Sequence, residues 1–355
     1  MKKKLTVWIL QTGEPLPIDG SSVRPMRAIN LANALVEKGH SVVLWSSRFS
    51  HQTKTHRSKQ FTDNVLMSKN LEVRLIDSPG YKKNIGFSRL FDHYMLGKNL
   101  AKSLKKNIKK PDVAFIGFPP IEIAMTMSNW LIENNIPYLV DVKDLWPEVF
   151  VEKTPVWSRV ITKILFHNYF ISAKKIYIGA TGITSMSQSF VKKILSISNR
   201  EMTSNDCDYP LVPALDVPDA KEINISDDWW DKEGVGEKVQ FRVIYVGNLS
   251  SNVEMDSIKK AALYFSDKGI DVEFVICGQG DYLGAFKKLM NGVACVKFPG
   301  WIDRSKTISL AKRSDMMLIP YYNSENFFLS LPNKTIDALA LGLPILSTLE
   351  GEVKD

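Results

Sequence analysis

A chain of 355 residues, 45% hydrophobic and 24% charged, has the apolar content for full cores and the charge level of a soluble globular protein. No apolar run approaches the ~20 residues a membrane-spanning helix needs. The three cysteines, Cys207, Cys277 and Cys295, have no metal-ligand spacing, which excludes a disulfide framework or zinc site and fits a reducing cytoplasm. Residues 1–205 hold 30 Lys and Arg against 15 Asp and Glu, a net +15, whereas residues 206–355 hold 16 against 23, a net −7. With this length one large or two ordinary domains are expected, and a basic half joined to an acidic half implies that one domain faces an anionic partner, either nucleic acid or the inner leaflet of a membrane.

The run from Met1 through Lys4 resembles the charged start of a signal peptide, but Thr6–Leu10 is too short for its apolar core. It is read as a first strand entered from a charged end. A loop holding Gly13, Pro15, Pro17 and Gly20 follows, then a helix from Val23 to Gly39 with apolar residues at 28, 31, 32, 35 and 36, then a strand Ser41–Trp45. Strand, glycine-containing loop, helix and strand form a βαβ unit, which predicts a parallel sheet. The loop lacks G-x-G-x-x-G, so no dinucleotide fingerprint is present. Gly20 with Arg24 and Arg27 forms either an anion-binding corner or an ordinary helix surface.

Residues 46–70, with His51, Lys54, His56, Arg57 and Lys59, are expected to be a mobile loop. Leu71–Ile76 is a strand. Residues 81–110 carry a lysine-rich amphipathic pattern, fit for an anionic membrane surface or a solvated helix face, with few aromatics to stack bases. Asp112–Gly117 and Pro137–Val142 are buried strands, the second ending in Asp141, Lys143 and Asp144. Polar residues at the carboxyl end of a parallel strand face the ligand crevice, although an Asp there also serves as a helix cap. Ile161–Ile171, with Trp157, Phe166 and Tyr169, is an amphipathic helix whose expected use is core packing, with a membrane surface as the other option. Lys175–Ile178 is expected as a strand, and Gly182–Ser187 as a further helix start.

Residues 201–238, acidic and proline-bearing, are expected to be the linker between domains 1–200 and 239–355. Phe241–Ser250 then opens a second α/β series, with strands at 272–276, 293–298, 316–320 and 344–347. Between the last two lies Ser330-Leu331-Pro332-Asn333-Lys334-Thr335-Ile336-Asp337. With Asn333 as N-cap and Gly342 and Pro344 as the stop, this is a strand, a polar loop and a helix start bearing one lysine. Unpaired N–H groups and a partial positive charge there suit a phosphate, and Lys334 adds a full charge. Asp337, one turn on, is placed to bind a ribose. Alone, the same stretch also reads as an ordinary capped surface helix. Two such series imply two parallel sheets facing across a cleft.

The ordered set Gly20 with the Arg24/Arg27 helix, Asp141-Val142-Lys143-Asp144-Leu145-Trp146-Pro147-Glu148, Thr184-Ser185-Met186-Ser187, Tyr245-Val246-Gly247-Asn248, Cys277-Gly278-Gln279-Gly280, Phe298-Pro299-Gly300-Trp301 and Leu331-Pro332-Asn333-Lys334 resembles GT-B glycosyltransferases of the family 4 type. The resemblance, strongest to enzymes building O-antigen and capsule repeats, spans nearly the whole chain. It implies two Rossmann-like domains and retaining, metal-independent transfer. The donor is a UDP- or GDP-linked sugar and the acceptor a lipid-linked, lipopolysaccharide or capsule glycan, with no further cofactor. The enzyme would lie peripherally on the cytoplasmic face of a membrane.

Carried over residue by residue, Gly247 and Asn248 approach the diphosphate. Ser330, Asn333 and Lys334 bind phosphate oxygens, and Asp337 binds the ribose. Gly300 and Trp301 lie near the base, and Gly20 and Arg24 approach the donor from the other domain. Asp141, Lys143 and Asp144 line the acceptor side. Four departures stand out. Of two glutamates commonly found eight positions apart, the first position is Leu329 and the second Asp337. Lys143 stands where many relatives have histidine, and Ala214-Leu215 where they have Asn-Gly. Relatives also continue beyond Asp355 with further helices, so the second domain is expected to be incomplete. A non-catalytic partner protein of this fold, or a nucleotide-sugar epimerase of related fold, stays open on these residues.

Overall fold

The computed structural model describes residues 3–20, 24–57, 64–84, 86–106, 109–211, 218–236 and 239–355. Lys59, Val23, Ala214 and Leu215 lie outside these residues. The chain divides into two compact units, Met1–Val212 and Pro213–Asp355.

In the first unit, strands β1 (Thr6–Leu10), β2 (Ser41–Ser47), β3 (Phe49–Ser50), β4 (Thr55–His56), β5 (Asn64–Ser68), β6 (Leu71–Ile76), β7 (Val113–Phe118), β8 (Tyr138–Val142), β9 (Gly182–Ser185) and β10 (Cys207–Asp208) occur in chain order. Helices α1 (Arg27–Glu37), α2 (Phe87–Leu104), α3 (Ile121–Glu133), α4 (Glu148–Glu152), α5 (Arg159–Leu165), α6 (His167–Gly179) and α7 (Gln188–Ser198) connect them. An eight-stranded sheet runs β10-β9-β8-β7-β1-β2-β6-β5. It is parallel except for β5 against β6. The central strands are continuous runs of branched and aromatic residues, as burial on both faces requires.

The second unit contains α8 (Ala220–Lys232), β11 (Phe241–Val246), α9 (Asp256–Asp267), β12 (Val272–Cys277), α10 (Leu283–Leu289), β13 (Val296–Gly300), α11 (Arg304–Lys312), β14 (Met316–Ile319), α12 (Glu325–Leu329), α13 (Asn333–Ala340) and β15 (Ile345–Ser347). Its five strands run β13-β12-β11-β14-β15, all parallel. Alternate residues of β11 enter two cores: Val243 and Tyr245 join one, Ile244 the other. Helices therefore cover both faces of this sheet. Arg242 is fully buried and donates to Glu273 Oε2 at 2.6 Å and to the Arg313 carbonyl at 2.7 Å.

Both sheets reverse their strand order. In the first the chain steps outward from β1 through β2 to β6, then returns to the other side of β1 with β7. In the second it steps from β11 through β12 to β13, then returns with β14. The loops leaving β1 and β7, and those leaving β11 and β14, part at these reversals and open a crevice at the carboxyl ends.

Four expectations are corrected. Residues 46–70 are not a featureless loop: β2 runs on to Ser47, β3 and β4 pair antiparallel, and β5 extends the sheet. Lys175–Ile178 belong to α6, because Ala173, Ile176 and Tyr177 bury at helical spacing and the strand begins only at Gly182. The amphipathic segment at 161–171 is two helices, and α5 leaves most of its apolar side chains in solvent. Of residues 201–238, β10 pairs with β9, while α8 packs on α11, where Trp230 Nε1 donates to the Lys306 carbonyl at 2.9 Å.

Gly278 has φ +144°, and a Cβ there would lie 1.8 Å from the Gly247 carbonyl oxygen. Gly278→Ala is expected to destabilise the second unit by about 2 kcal/mol or more. Gly284→Ala, in α10 with nothing within 4 Å, is expected to be neutral or stabilising by up to ~1 kcal/mol. Denaturant unfolding of the two variants checks the contrast.

Candidate functional site

At the reversal in the second unit, β11 is followed by Gly247 and Asn248, and β14 by Pro320 and Tyr321. Gly247 has φ +156°, a backbone suited to glycine. A Cβ on it would meet Lys334 Nζ at 2.2 Å and Cε at 2.5 Å, so the lysine lies directly across the bare backbone. Lys334 Nζ sits over the Tyr245 ring, 4.9 Å from its centroid, and over the Tyr321 ring at 5.1 Å. It donates to Tyr321 Oη at 2.5 Å. Burial holds the Tyr245 phenol well above its usual range, with Tyr321 adding to the effect. The neutral hydroxyl donates to the Asn248 carbonyl at 2.7 Å and braces the turn. Among the described residues no carboxylate pairs with Lys334. Its charge is offset only by two ring faces, and two of its three N–H donors are open. It also stands in the first turn of α13, whose leading N–H groups lack intrahelical partners. A bare glycine turn, a helix start and an uncompensated ammonium together attract an anion of phosphate type.

The reversal in the first unit is built differently. The Arg27 guanidinium grips the buried Asp141 carboxylate with two N–H groups, Nε to Oδ2 at 3.1 Å and Nη2 to Oδ1. Lys143 pairs with Glu14 and lies 3.9 Å from Asp141 Oδ2. Glu14 Oε2 accepts the Ala28 N–H at 2.9 Å, so this loop carboxylate caps α1. Burial alone would raise the Glu14 carboxyl, but the Lys143 ammonium and the Ala28 N–H outweigh it and hold it below the usual range. Two cations and two carboxylates form a closed set. Arg27 Nη1, buried and without a hydrogen-bond partner, is the open donor, and the guanidinium lies 4.7 Å over the Tyr209 ring.

Residues 240–355 match the family model described as glycosyl transferases group 1. That match spans the second sheet and helices α9 to α13, about a third of the chain. The whole chain has the GT-B fold of solved glycosyltransferases at low sequence identity. Sucrose-phosphate synthase from Thermosynechococcus elongatus superposes with a TM-score of 0.67 at 12% identity, over 99% of this chain and 83% of that one. HepE from Anabaena, solved with UDP and glucose, gives 0.61 at 12% identity, over 99% and 82%. WaaG, a glycosyltransferase involved in lipopolysaccharide biosynthesis, gives 0.61 at 13% identity, over 97% and 82%. No curated protein matches the chain in sequence.

Gly247, Asn248 and Lys334 lie together at this reversal. Gly280 closes on the same turn, since a Cβ there would lie 2.6 Å from Asn248 Oδ1. Gly300 accepts the Gly278 N–H at 2.7 Å, and Trp301 beside it is exposed. Asn333 is not the N-cap: Pro332 occupies that position, and Asn333 is the exposed first residue of α13. Proline donates no N–H, and its fixed φ enters the helix without a side-chain cap. The Ser330 hydroxyl donates to the Asn326 carbonyl, closing α12. Asp337 lies one turn into α13, half-buried. Gly20, with φ +144°, is exposed after a 3-10 turn, and half-buried Arg24 precedes α1. Asp144 is half-buried in the turn to Trp146.

Sequence reasoning gave no role to Tyr245, Tyr321, Glu14 or Tyr209. The usable signal was positional: each lies at or just beyond the carboxyl end of a strand. Among the described residues no three His, Cys, Asp or Glu side chains are grouped as a metal would need, and no helix is long and apolar enough to cross a membrane.

Because the Glu14 carboxyl is held low, its pairing stabilises the fold above the ordinary carboxylate range and is lost as pH falls through the lowered value. Glu14→Gln is expected to cost about 2 kcal/mol at neutral pH and to flatten the acid limb of the stability curve. Asp141→Asn, which leaves Arg27 buried without its counterion, is expected to cost ~3 kcal/mol or more. Denaturant unfolding from neutral pH down through the carboxylate range measures both.

Proposed function

We propose that the chain moves a sugar from a UDP- or GDP-linked donor to a lipid-linked, lipopolysaccharide or capsule-type glycan, with retention at the anomeric carbon and no bound metal. The observation that carries this reading is the unpaired Lys334 ammonium lying across Gly247 at the start of α13. Solved relatives support it: HepE was determined with UDP and glucose, and WaaG takes part in lipopolysaccharide biosynthesis.

When the glycosidic bond to the donor breaks, negative charge grows on the leaving diphosphate. The Lys334 ammonium and the leading N–H groups of α13 stabilise that charge, and Tyr321 keeps the ammonium in place, so little reorganisation is needed. Asn248 and the Gly247 backbone approach the same oxygens, with Asn333 at the helix start and Ser330 before it. Asp337 accepts from the ribose, and Gly300 and Trp301 border the base. Asp141, both oxygens engaged by Arg27, acts by positioning Arg27 and Lys143, and Lys143 and Asp144 border the acceptor hydroxyl. The basic first unit suits an acceptor carried at the anionic cytoplasmic face of a membrane.

Thermal shift and calorimetry with UDP, GDP, ADP and CMP in EDTA test this reading. One diphosphate is expected to stabilise the chain, and Lys334→Ala to weaken its binding by about tenfold to a hundredfold. Lack of binding by all four in a folded sample would overturn it.

A further inference from the structure

The segment after α4 carries a dense run of exposed apolar side chains. Val156 is 75% exposed, Trp157 80%, Val160 67%, Ile161 56%, Ile164 69% and Leu165 74%. They recur at the spacing of one helix face across the turn at Val156–Ser158 and α5, whereas Thr162, on the opposite side, is buried beside Thr154. The burial pattern shows that this face does not enter the core. Isolated exposed apolar residues are ordinary, but six within ten residues mark an interaction surface.

The surrounding charge says what covers it. From Lys153 to Arg200 the chain has eight Lys and Arg and neither Asp nor Glu. Lys153, Arg159 and Lys163 are exposed within and beside the apolar face. A second copy docked here by a two-fold axis would set the same cations against each other. An anionic bilayer offers hydrocarbon for the branched side chains, headgroup depth for an indole and negative charge for the lysines and arginine.

We infer that residues 156–165 insert into the interfacial layer of an anionic membrane, with Trp157, Ile164 and Leu165 entering the acyl boundary and Arg159 and Lys163 binding headgroups. This rests on the reading above for the lipid acceptor, and it replaces a merely electrostatic contact with hydrophobic insertion.

The test uses the full chain without nucleotide, so donor binding plays no part in it. Co-sedimentation is measured with vesicles of phosphatidylglycerol and phosphatidylethanolamine, and with phosphatidylcholine alone. The wild type is expected to bind the anionic vesicles, to keep a bound fraction in high salt, and to show a blue shift of emission that Trp157→Phe removes. Ile164→Ser/Leu165→Ser is expected to partition roughly tenfold or more weakly. Arg159→Glu/Lys163→Glu is expected to lose the preference for anionic lipid. The changed residues are exposed, so thermal unfolding should be unchanged and serves as the folding control. Partitioning of Ile164→Ser/Leu165→Ser at the wild-type level, or complete release of the wild type by salt, would overturn the inference. So would a vesicle-free wild-type dimer that this variant abolishes, because the face would then belong to a second copy.

Discussion

Reversal of strand order is the constraint from which the rest of this structure follows. A parallel sheet needs a crossover after every strand, and the crossovers must cover both faces. When the chain finishes one flank and returns to the other, the loops from the two central strands diverge. In the second unit those loops carry Gly247 and Asn248 on one side and Tyr321 on the other. In the first they carry Gln11 to Glu14 and the Pro119-Pro120 turn. The crevice residues are selected by topology first and by chemistry second.

The two reversals then differ in charge. In the first unit Arg27, Lys143, Asp141 and Glu14 neutralise one another, which permits burial that an isolated charge would not survive. The rigid set leaves one guanidinium N–H open beside Tyr209. In the second unit Lys334 has ring faces and a phenol in place of a carboxylate. Aromatic faces hold a cation without cancelling its charge, so its field stays open to an anion. Tight backbone contact makes this possible: Gly278 lies against the Gly247 carbonyl, and Gly247 has no side chain to lift the lysine away.

Surface chemistry divides along the same line. The first unit carries the basic excess, the acid-free stretch from Lys153 to Arg200 and the apolar face of α5. The second is acidic overall, and its buried Arg242 and Glu273 tie β12 to the loop before β11. The anion-attracting crevice at Lys334 belongs to one unit and the basic, apolar surface to the other.

Most of the α/β order was legible in the sequence, because strands buried on both faces must be continuous runs of branched and aromatic residues and helices must show one apolar stripe. Lys334 in the first turn of a helix, beside a glycine-ended strand, was legible for the same local reason. What local pattern could not decide was which partner each side chain meets. Asp141 reads as a crevice-lining residue or a helix cap until Arg27, 114 residues away in sequence, grips it. Glu14 carries no motif until α1 needs a cap and Lys143 a counterion. The α5 stripe has the periodicity of a core helix, yet it faces outward. A hydrophobic stripe records only that a face leaves water, and the tertiary structure alone decides whether protein or another medium receives it.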